Sequence, residues 1–314
     1  MELQTVDGEM GRKFGSFRTR RPLRVGGALV VPVIAPDRER IDVLTLTAAV
    51  EAHGFKVTEV SSGGVVNELL CSNPSERNVL VIQGELLTGG KQDRMVAFDV
   101  LLGPGTGAKV PVNCVESGRW EHCSADFRPS DEIAPESFRS RGVTSRGGAV
   151  AERAAAEKQR EVWRGVAMSL ECLSAHTPTN SIHAMFRTDA DHRVRAEADT
   201  YQPLPDQVGH VIVERGTPVR AEFFADPDLY AHYCHQLLRA ALRRTHPDDW
   251  GTGSPPANLK ESVWRFLRGF LSAQPKRTPG IALGWELRVA LKGVSGFALE
   301  HNDRLVHAAF TNGR

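Results

Sequence analysis

Short apolar runs separated by turn residues dominate the first two fifths of the chain. "ALVVPVIAP" (28–36) predicts a strand, and "DVLTLTAAVEAHG" (42–54) predicts a short helix that ends at a glycine. Between Lys56 and Val115, runs such as "NVLVIQG" alternate with turn residues, a pattern typical of an antiparallel sandwich or barrel-like sheet. "DVLLGPGTGAKVPVNCVE" (99–116) predicts a hairpin, because two apolar strands flank a Pro-Gly turn.

Helical periodicity takes over in the second half of the chain. Residues 149–173 predict one long helix, since they place an apolar stripe at three- and four-residue spacing: Val162, Val166, Leu170 and Leu173. A hairpin is predicted at 210–224, and after it Asp226 and Pro227 supply a helix cap and a first helical residue. "KESVWRFLRGFLSA" predicts a further helix, and "GWELRVALKGVSGFALEHNDRLVHAAFT" predicts a closing strand meander.

These elements predict an α+β protein. Its N-terminal half is β-rich and sandwich-like, and its C-terminal half is α+β with one long helix and a terminal strand meander. The predicted organisation is a flexible basic extension (1–24), the β-rich half (25–128), a loop (129–149) and the α+β half (150–314). The sequence leaves open whether the two halves are separate domains or one continuous domain.

Composition adds mainly exclusions. The 314 residues carry a net charge of +1, so no overall field attracts nucleic acid or a membrane surface. Only eight of the 39 basic residues are Lys, and this preference for Arg, with abundant Ala, is typical of a GC-rich bacterial genome. Apolar runs are too short for a membrane span, and the N-terminus has no signal-peptide core. The five cysteines form no C-x-x-C pair, and we therefore expect a cytoplasmic protein with reduced thiols.

The stretch "VPVNCVESGRWEHCSADFR" (110–128) is a first candidate site. Cys114 and Arg119 suggest a cysteine-phosphatase loop, but only four residues separate them where five are needed. Glu116 would also place a negative charge inside the phosphate cradle. A thiolate–imidazole pair of Cys114 with His122 is one alternative. A buried, inert Cys114 at the end of a strand is the other, and the sequence favours it.

A second charged cluster lies at "QGELLTGGKQDR" (83–94). Five polar side chains surround two glycines: Glu85, Lys91, Gln92, Asp93 and Arg94. Glycine lets a backbone approach a ligand closely, and Lys with Arg suits phosphate or carboxylate. The G-x-x-x-x-G-K-[ST] pattern of nucleotide-binding loops is absent. From residue types alone, a hairpin with a solvated, self-paired turn is the alternative that we favour.

Two further motifs predict surface rather than chemistry. No further His, Cys or Asp set has convincing metal-ligand spacing to join His232, Cys234 and His235, so we predict a half-exposed helical surface and no metal site. "RTRR" (18–21) predicts a solvated arm.

The two polar clusters together resemble the signature of the family named ARG and rhodanese-phosphatase-superfamily-associated protein domain, in which ARG stands for ADP-ribosylglycohydrolase. Matching positions are Gly84, Glu85, Leu87, Gly89, Lys91, Gln92, Arg94, Pro111, Val112, Cys114 to Glu116, and Gly118 to Trp120. The resemblance continues at Gln159 and Trp163 and at His307 in "LVHAAF". Leu86 and Asp93 depart from the family pattern, which has Glu and Asn there.

The resemblance implies a link to NAD or phosphorylated ADP-ribose metabolism, but it names no reaction, cofactor or protein partner. It favours a polar pocket for an anionic small molecule over the self-paired turn. In that pocket Lys91, Gln92, Arg94, Arg119 and Trp120 would bind ligand. Glu116 or Glu85 would hold a ribose or act as a base, and further candidates are Cys114, Asp93, Gln159 and His307. The alternative is a scaffold protein in which these charges form structural ion pairs.

Overall fold

The computed structural model describes residues 3–38, 40–139, 149–244, 247–250 and 253–312. It is an α+β protein with a β-rich N-terminal half and a terminal strand meander, which confirms the predicted fold class. The strands are β1 Arg18–Thr19, β2 Leu23–Val25, β3 Ala28–Ile34, β4 Val43–Thr45, β5 Lys56–Glu59, β6 Glu68–Asn73, β7 Asn78–Val81, β8 Glu85–Gly89, β9 Arg94–Val96, β10 Val100–Leu102, β11 Thr106–Cys114, β12 Phe127–Ile133, β13 Gln207–Glu214, β14 Thr217–Phe224, β15 Lys276–Pro279, β16 Trp285–Leu291, β17 Val294–His301 and β18 Arg304–Thr311.

The helices lie mostly in the second half. They are α1 Glu9–Phe14, α2 Leu46–Ala52, α3 Glu136–Arg139, α4 Ala149–Cys172, α5 Asp189–Asp199, α6 Pro227–Leu242 and α7 Leu259–Leu271, with 3₁₀ helices at Ile182–Arg187 and Pro247–Asp249. No helix among the described residues is long and apolar enough to cross a membrane. The chain forms two compact units, which divide it differently from the predicted halves: Met1–Asp42, Ala196–Leu238 and Thr245–Arg314 make up the first, and Val43–Arg195 with Arg239–Arg244 make up the second.

The first unit is built on one antiparallel sheet in the order β1-β3-β13-β14-β18-β17-β16-β15, with β2 also paired to β3. Two predicted turns are present in this sheet. Arg215 and Gly216 both adopt positive φ between β13 and β14, and Asn302 and Asp303 do so between β17 and β18. One face of the sheet packs against α7, where the rings of Phe270 and Phe310 stack 4.0 Å apart.

The N-terminal segment differs from the flexible extension that the sequence predicts. Met10, Phe14 and Phe17 are buried in the core of the first unit, and the Phe14 ring lies 4.7 Å from that of Phe223. The sequence did not predict this burial, because the apolar residues of the segment stand singly among charged ones. Met10 and Phe14 lie on a helix of only six residues and Phe17 follows it, so no long amphipathic stripe marks them in the sequence.

The second unit contains a small sheet, β10-β7-β4, and an antiparallel sheet in the order β12-β8-β9-β11-β6-β5. The hairpin predicted at 99–116 has its two strands and its turn, but the strands pair elsewhere. Strand β10 pairs with β7, while β11 pairs with β6 and β9. Turn residues make the chain reverse its direction, but they do not determine which strand each of the two flanking strands pairs with.

The long helix α4 covers the larger sheet, as its stripe predicts. Val162, Val166 and Leu170 are buried in a cluster that also contains Leu86 and Ile182. The segment 129–149, predicted as a loop, contains the rest of β12 and the short helix α3. Its residues 140–148 lie outside the described part of the chain.

Phe14→Ala should lower the free energy of unfolding by about 3–5 kcal/mol, the usual cost of emptying a buried phenylalanine site. Urea unfolding measures the change. Leu3→Ala is the control, since Leu3 is 40% exposed and its truncation should cost under ~0.5 kcal/mol. Equal effects of the two substitutions would show that the segment is a loose arm.

Candidate functional site

Strand pairing in the second unit brings the two predicted clusters together. Arg94 on β9 lies opposite Cys114 on β11 and opposite Leu87 on β8. The Gly89-Gly90 turn leads into this arrangement, and both glycines have positive φ. A Cβ atom on Gly90 would lie 2.2 Å from the Phe127 ring, so the turn needs glycine for space as well as for backbone angle.

A buried carboxylate, Glu116, joins the clusters. Its Oε2 accepts hydrogen bonds from the Asp93 backbone amide (3.0 Å) and from Arg119 Nη2 (2.6 Å) and Nε (3.0 Å). Burial alone raises the pKa of Glu116, but the hydrogen bonds from Arg119, Thr179 and the Asp93 amide outweigh it and hold the pKa below its ordinary value. Glu116 is therefore charged at neutral pH.

The Arg119 guanidinium is saturated by protein acceptors. Besides Glu116, it donates to the Gly90 carbonyl (2.8 Å), to the Glu121 carbonyl (3.1 Å) and to Cys123 Sγ (3.2 Å), and its Nη2 lies 3.3 Å from Asp93 Oδ1. These partners use all of its donor directions. In this arrangement Arg119 closes the turn and leaves no donor for a ligand phosphate.

Arg94 is fully buried. Its Nη1 donates to Gln92 Oε1 (3.1 Å), and its Nη2 lies 3.9 Å from Glu59 Oε1. Burial lowers the pKa of Arg94 below its ordinary value and outweighs the opposing effects of Cys114 and Glu59. Nε and Nη2 have no hydrogen-bond partner among the described residues. The side chain is a structural cation rather than an exposed clamp.

Cys114 is also fully buried. Its thiol lies 3.0 Å from both Gln92 Oε1 and the Glu116 carbonyl, and Gln159 brackets its backbone by accepting from the Cys114 amide and donating to its carbonyl, each at 2.8 Å. Burial raises the pKa of the Cys114 thiol against the opposing effect of Arg94. His122 is exposed in the same unit, and Cys114 has the surroundings of an inert core thiol.

Glu85, Lys91 and Trp120 complete the predicted set. Glu85 is buried, and its Oε2 accepts from the Ile82 amide at 2.7 Å. Lys91 Nζ donates to the Gly63 carbonyl and lies 5.3 Å from the centre of the Trp120 ring, which is 44% exposed. Thus Trp120 is the predicted residue most accessible to a ligand.

His307 belongs to the first unit. It is fully buried on β18 with its Nε2 3.3 Å from Glu222 Oε1, and Glu222 also accepts from Arg220 Nε at 2.9 Å. His232 and His235 are in the first unit too. Within the described ranges, no three His, Cys, Asp or Glu side chains converge as a metal site.

A cavity of ≈ 950 Å³ opens in the second unit beside Asp93. Asp93 Oδ2 accepts from Ser181 Oγ at 2.8 Å and lies 3.9 Å from His183 Nε2. The pKa of His183 lies below its ordinary value, because burial and the nearby Arg187 lower it by more than Asp93 raises it. Arg128 and Arg187 are exposed on the cavity lining and form no ion pair with described residues. The lining also contains the acids Asp126 and Asp189, so the cavity offers cationic, acidic and hydrogen-bonding groups to a ligand.

Of the residues predicted as a site, Asp93 lines this cavity; Glu85, Arg94, Cys114 and Glu116 do not appear among its described lining residues. Ser181, His183, Arg128 and Arg187 were missed by the sequence analysis. Ser181 follows a turn and caps a 3₁₀ helix by accepting from the His183 amide. This weak capping signal was available from the sequence, but its position beside Asp93 depends on the register between Glu116 and Ser181.

The family model for the ARG and Rhodanese-Phosphatase-superfamily-associated Protein domain matches residues 16–311. This match covers most of both units. No curated protein and no solved structure matches the chain.

The cysteines should separate by exposure in a thiol-labelling experiment. Cys123 and Cys172 are exposed, and Cys71, Cys114 and Cys234 are buried, with the pKa of Cys71 raised by burial to about 12. We expect a maleimide to label two thiols in the folded protein and five in urea, as counted by mass spectrometry. Rapid labelling of Cys114 in the folded state would contradict its placement in the core.

Glu116→Gln should destabilise the protein in a pH-dependent way. Because its folded-state pKa lies below the ordinary value of 4.5, the carboxylate contributes stability that is present above that value and is lost as the pH falls through the folded pKa. The difference in unfolding free energy from wild type should be full at pH 7 and shrink below about pH 4.5. Glu121→Gln, at an exposed position, is the control. If the difference in unfolding free energy between wild type and Glu116→Gln did not vary with pH, the ionic pair of Glu116 with Arg119 would be excluded as its cause.

Proposed function

We propose, for a chain that belongs to the family of ARG and rhodanese-phosphatase-superfamily-associated proteins, that its second unit binds an anionic, ADP-ribose-like or phosphorylated nucleotide. The observation that carries the proposal is the cavity of ≈ 950 Å³ that reaches Asp93, a residue inside the segment that carries the family signature. Ligand sites commonly measure about 300–1,000 Å³, so this cavity has room for a molecule of nucleotide size.

In this proposal Arg128 and Arg187 meet the phosphates. Both line the cavity and are exposed, and guanidinium groups bind phosphate oxygens in a bidentate manner. They replace Arg94 and Arg119 as the anion clamp, because Arg94 is fully buried and Arg119 is engaged by protein acceptors. Trp120, which is exposed, and Lys91, which is half-buried, stay as candidates outside the cavity lining.

Ribose hydroxyls suit the polar end of the cavity. The Asp93 carboxylate accepts hydrogen bonds, Ser181 donates and accepts, and His183, whose pKa is lowered by burial, can accept as a neutral imidazole. We assign Glu116 a positioning role, since its contacts fix both Asp93 and Arg119. Binding is the function proposed, and turnover is a separate question for which Asp93 is the best-placed base.

One observation favours a second candidate function, a scaffold without a ligand. Glu116, Arg119 and Asp93 satisfy one another, and Arg94 is closed off from solvent, as expected of charges that lock strands together. A protein partner would then contact the exposed surface around Trp120.

A thermal-shift titration with ADP-ribose, NAD, a sugar phosphate and neutral adenosine tests the proposal. A ligand present at 100 times its Kd should stabilise wild type by about 2.7 kcal/mol. The shift should disappear in Arg187→Ala and in Arg128→Ala, and it should persist in Arg164→Ala, an exposed arginine of α4 outside the cavity lining.

The outcomes separate the two candidates. A shift with phosphorylated ligands but not with adenosine, lost in both cavity variants, supports nucleotide binding, and chromatography of the incubated ligand then reports turnover in wild type against Asp93→Asn. No shift with any ligand, or one that survives both substitutions, contradicts the cavity as the binding site. Absence of a shift with every ligand favours the scaffold.

A further inference from the structure

The first unit contains a separate pocket of ≈ 530 Å³ that the proposed function does not use. Its lining combines three arginines with apolar side chains and one acid: Arg18, Arg20, Arg21, Leu23, Ile34, Leu204, Pro205 and Asp206. The three arginines belong to the "RTRR" stretch, for which the sequence analysis predicts only a solvated arm.

Sheet register explains how this stretch forms a wall. Ile34, the last residue of β3, pairs with Arg18 of β1 on one side and with Gln207 of β13 on the other. Strand β2 continues along the same edge of β3 in the same direction as β1, and three residues between them (20–22) face two residues of β3 (31–32). Because the Arg20 amide still donates to the Pro32 carbonyl, the extra residue bulges outward after Arg20. The opposite wall is the turn that leads into β13, where Asp206 has positive φ. The pocket is therefore fixed by paired strands.

The charges in this pocket are unbalanced. Arg18, Arg20 and Arg21 form no ion pair with the described residues, and Asp206 is the one acid among the described lining residues. The Nε atom of Arg18 is buried and has no hydrogen-bond partner in the described ranges, which leaves a desolvated donor in need of an acceptor. A ligand anion would supply that acceptor.

The remaining walls are apolar. Leu23, Ile34, Leu204 and Pro205 line the pocket, and the aliphatic stems of arginines add further apolar surface below their charged ends. A small inorganic ion would leave this surface in water, and a neutral apolar molecule would leave the guanidinium groups without a partner. The lining suits a molecule that has both parts.

We propose that this pocket binds a small amphipathic anion, a phosphate or carboxylate head on a short apolar body. The head lies among Arg18, Arg20 and Arg21, and the body lies against Leu23, Ile34 and Leu204. Guanidinium groups bind both kinds of head in a fork, so the two head groups share one recognition chemistry.

Calorimetric titration of the full-length protein with matched probes tests the site. Hexyl phosphate carries head and body, inorganic phosphate the head alone, and hexanol the body alone; hexanoate distinguishes carboxylate from phosphate. Hexyl phosphate or hexanoate should bind at least about tenfold more tightly than inorganic phosphate or hexanol, and the affinity should fall as salt is raised.

Variants localise the binding. Arg20→Ala with Arg21→Ala changes two exposed side chains, so the fold should be retained while affinity for the preferred probe falls at least about tenfold. Arg18→Lys tests whether the ligand needs the bidentate contact of a guanidinium group, since lysine keeps the charge and loses that geometry. Arg265→Ala, at an exposed position on α7, should bind as wild type does. Equal affinity of all probes, or undiminished binding in the double variant, would overturn the proposal, and Arg187→Ala should leave this binding unchanged.

Discussion

The ionic contact between Glu116 and Arg119 is the interaction on which the second unit depends. Both residues follow β11, and they hold the turn before β9, since Glu116 accepts from the Asp93 amide and Arg119 donates to the Gly90 carbonyl. Through the Asp93 carboxylate the contact reaches Ser181 on the cavity wall. Two backbone hydrogen bonds reinforce the connection, from Gly118 to the Thr179 carbonyl and from Ile182 to the Val115 carbonyl. Taking these charges out of water is costly, and the number of satisfied hydrogen bonds offsets that cost.

Local patterns allowed much of the fold to be predicted. The stripe of α4 and the turns at Arg215-Gly216 and Asn302-Asp303 depend on residues close together in sequence, and these elements are present. Strand partners depend on the whole chain, which is why the 99–116 hairpin was predicted with the wrong neighbours. The burial of Phe14 likewise depends on a sheet formed by distant residues.

The sequence indicated which two segments carry the polar cluster, but it did not determine what each of their side chains does. The same residue types, Arg with Glu and Gln, serve a buried ion-pair network and a ligand clamp, so sequence alone could not separate Arg119 from Arg187. Strand register brought the two motifs side by side, and burial decided which of their side chains face a cavity. Asp93, which departs from the family pattern, lies at the meeting point: its carboxylate serves Arg119 on one side and Ser181 on the other.

The paired charges of Glu116 and Arg119 also limit how this sequence can change over evolutionary time. Loss of Arg119 would leave Glu116 as a buried charge without its ionic partner, which is more costly than loss of both together. The two positions should therefore drift as a couple, and a change at one is tolerated when a change at the other accompanies it. Asp93 weakens that coupling on one side only, because its carboxylate can still pair with Arg119 after Glu116 is gone.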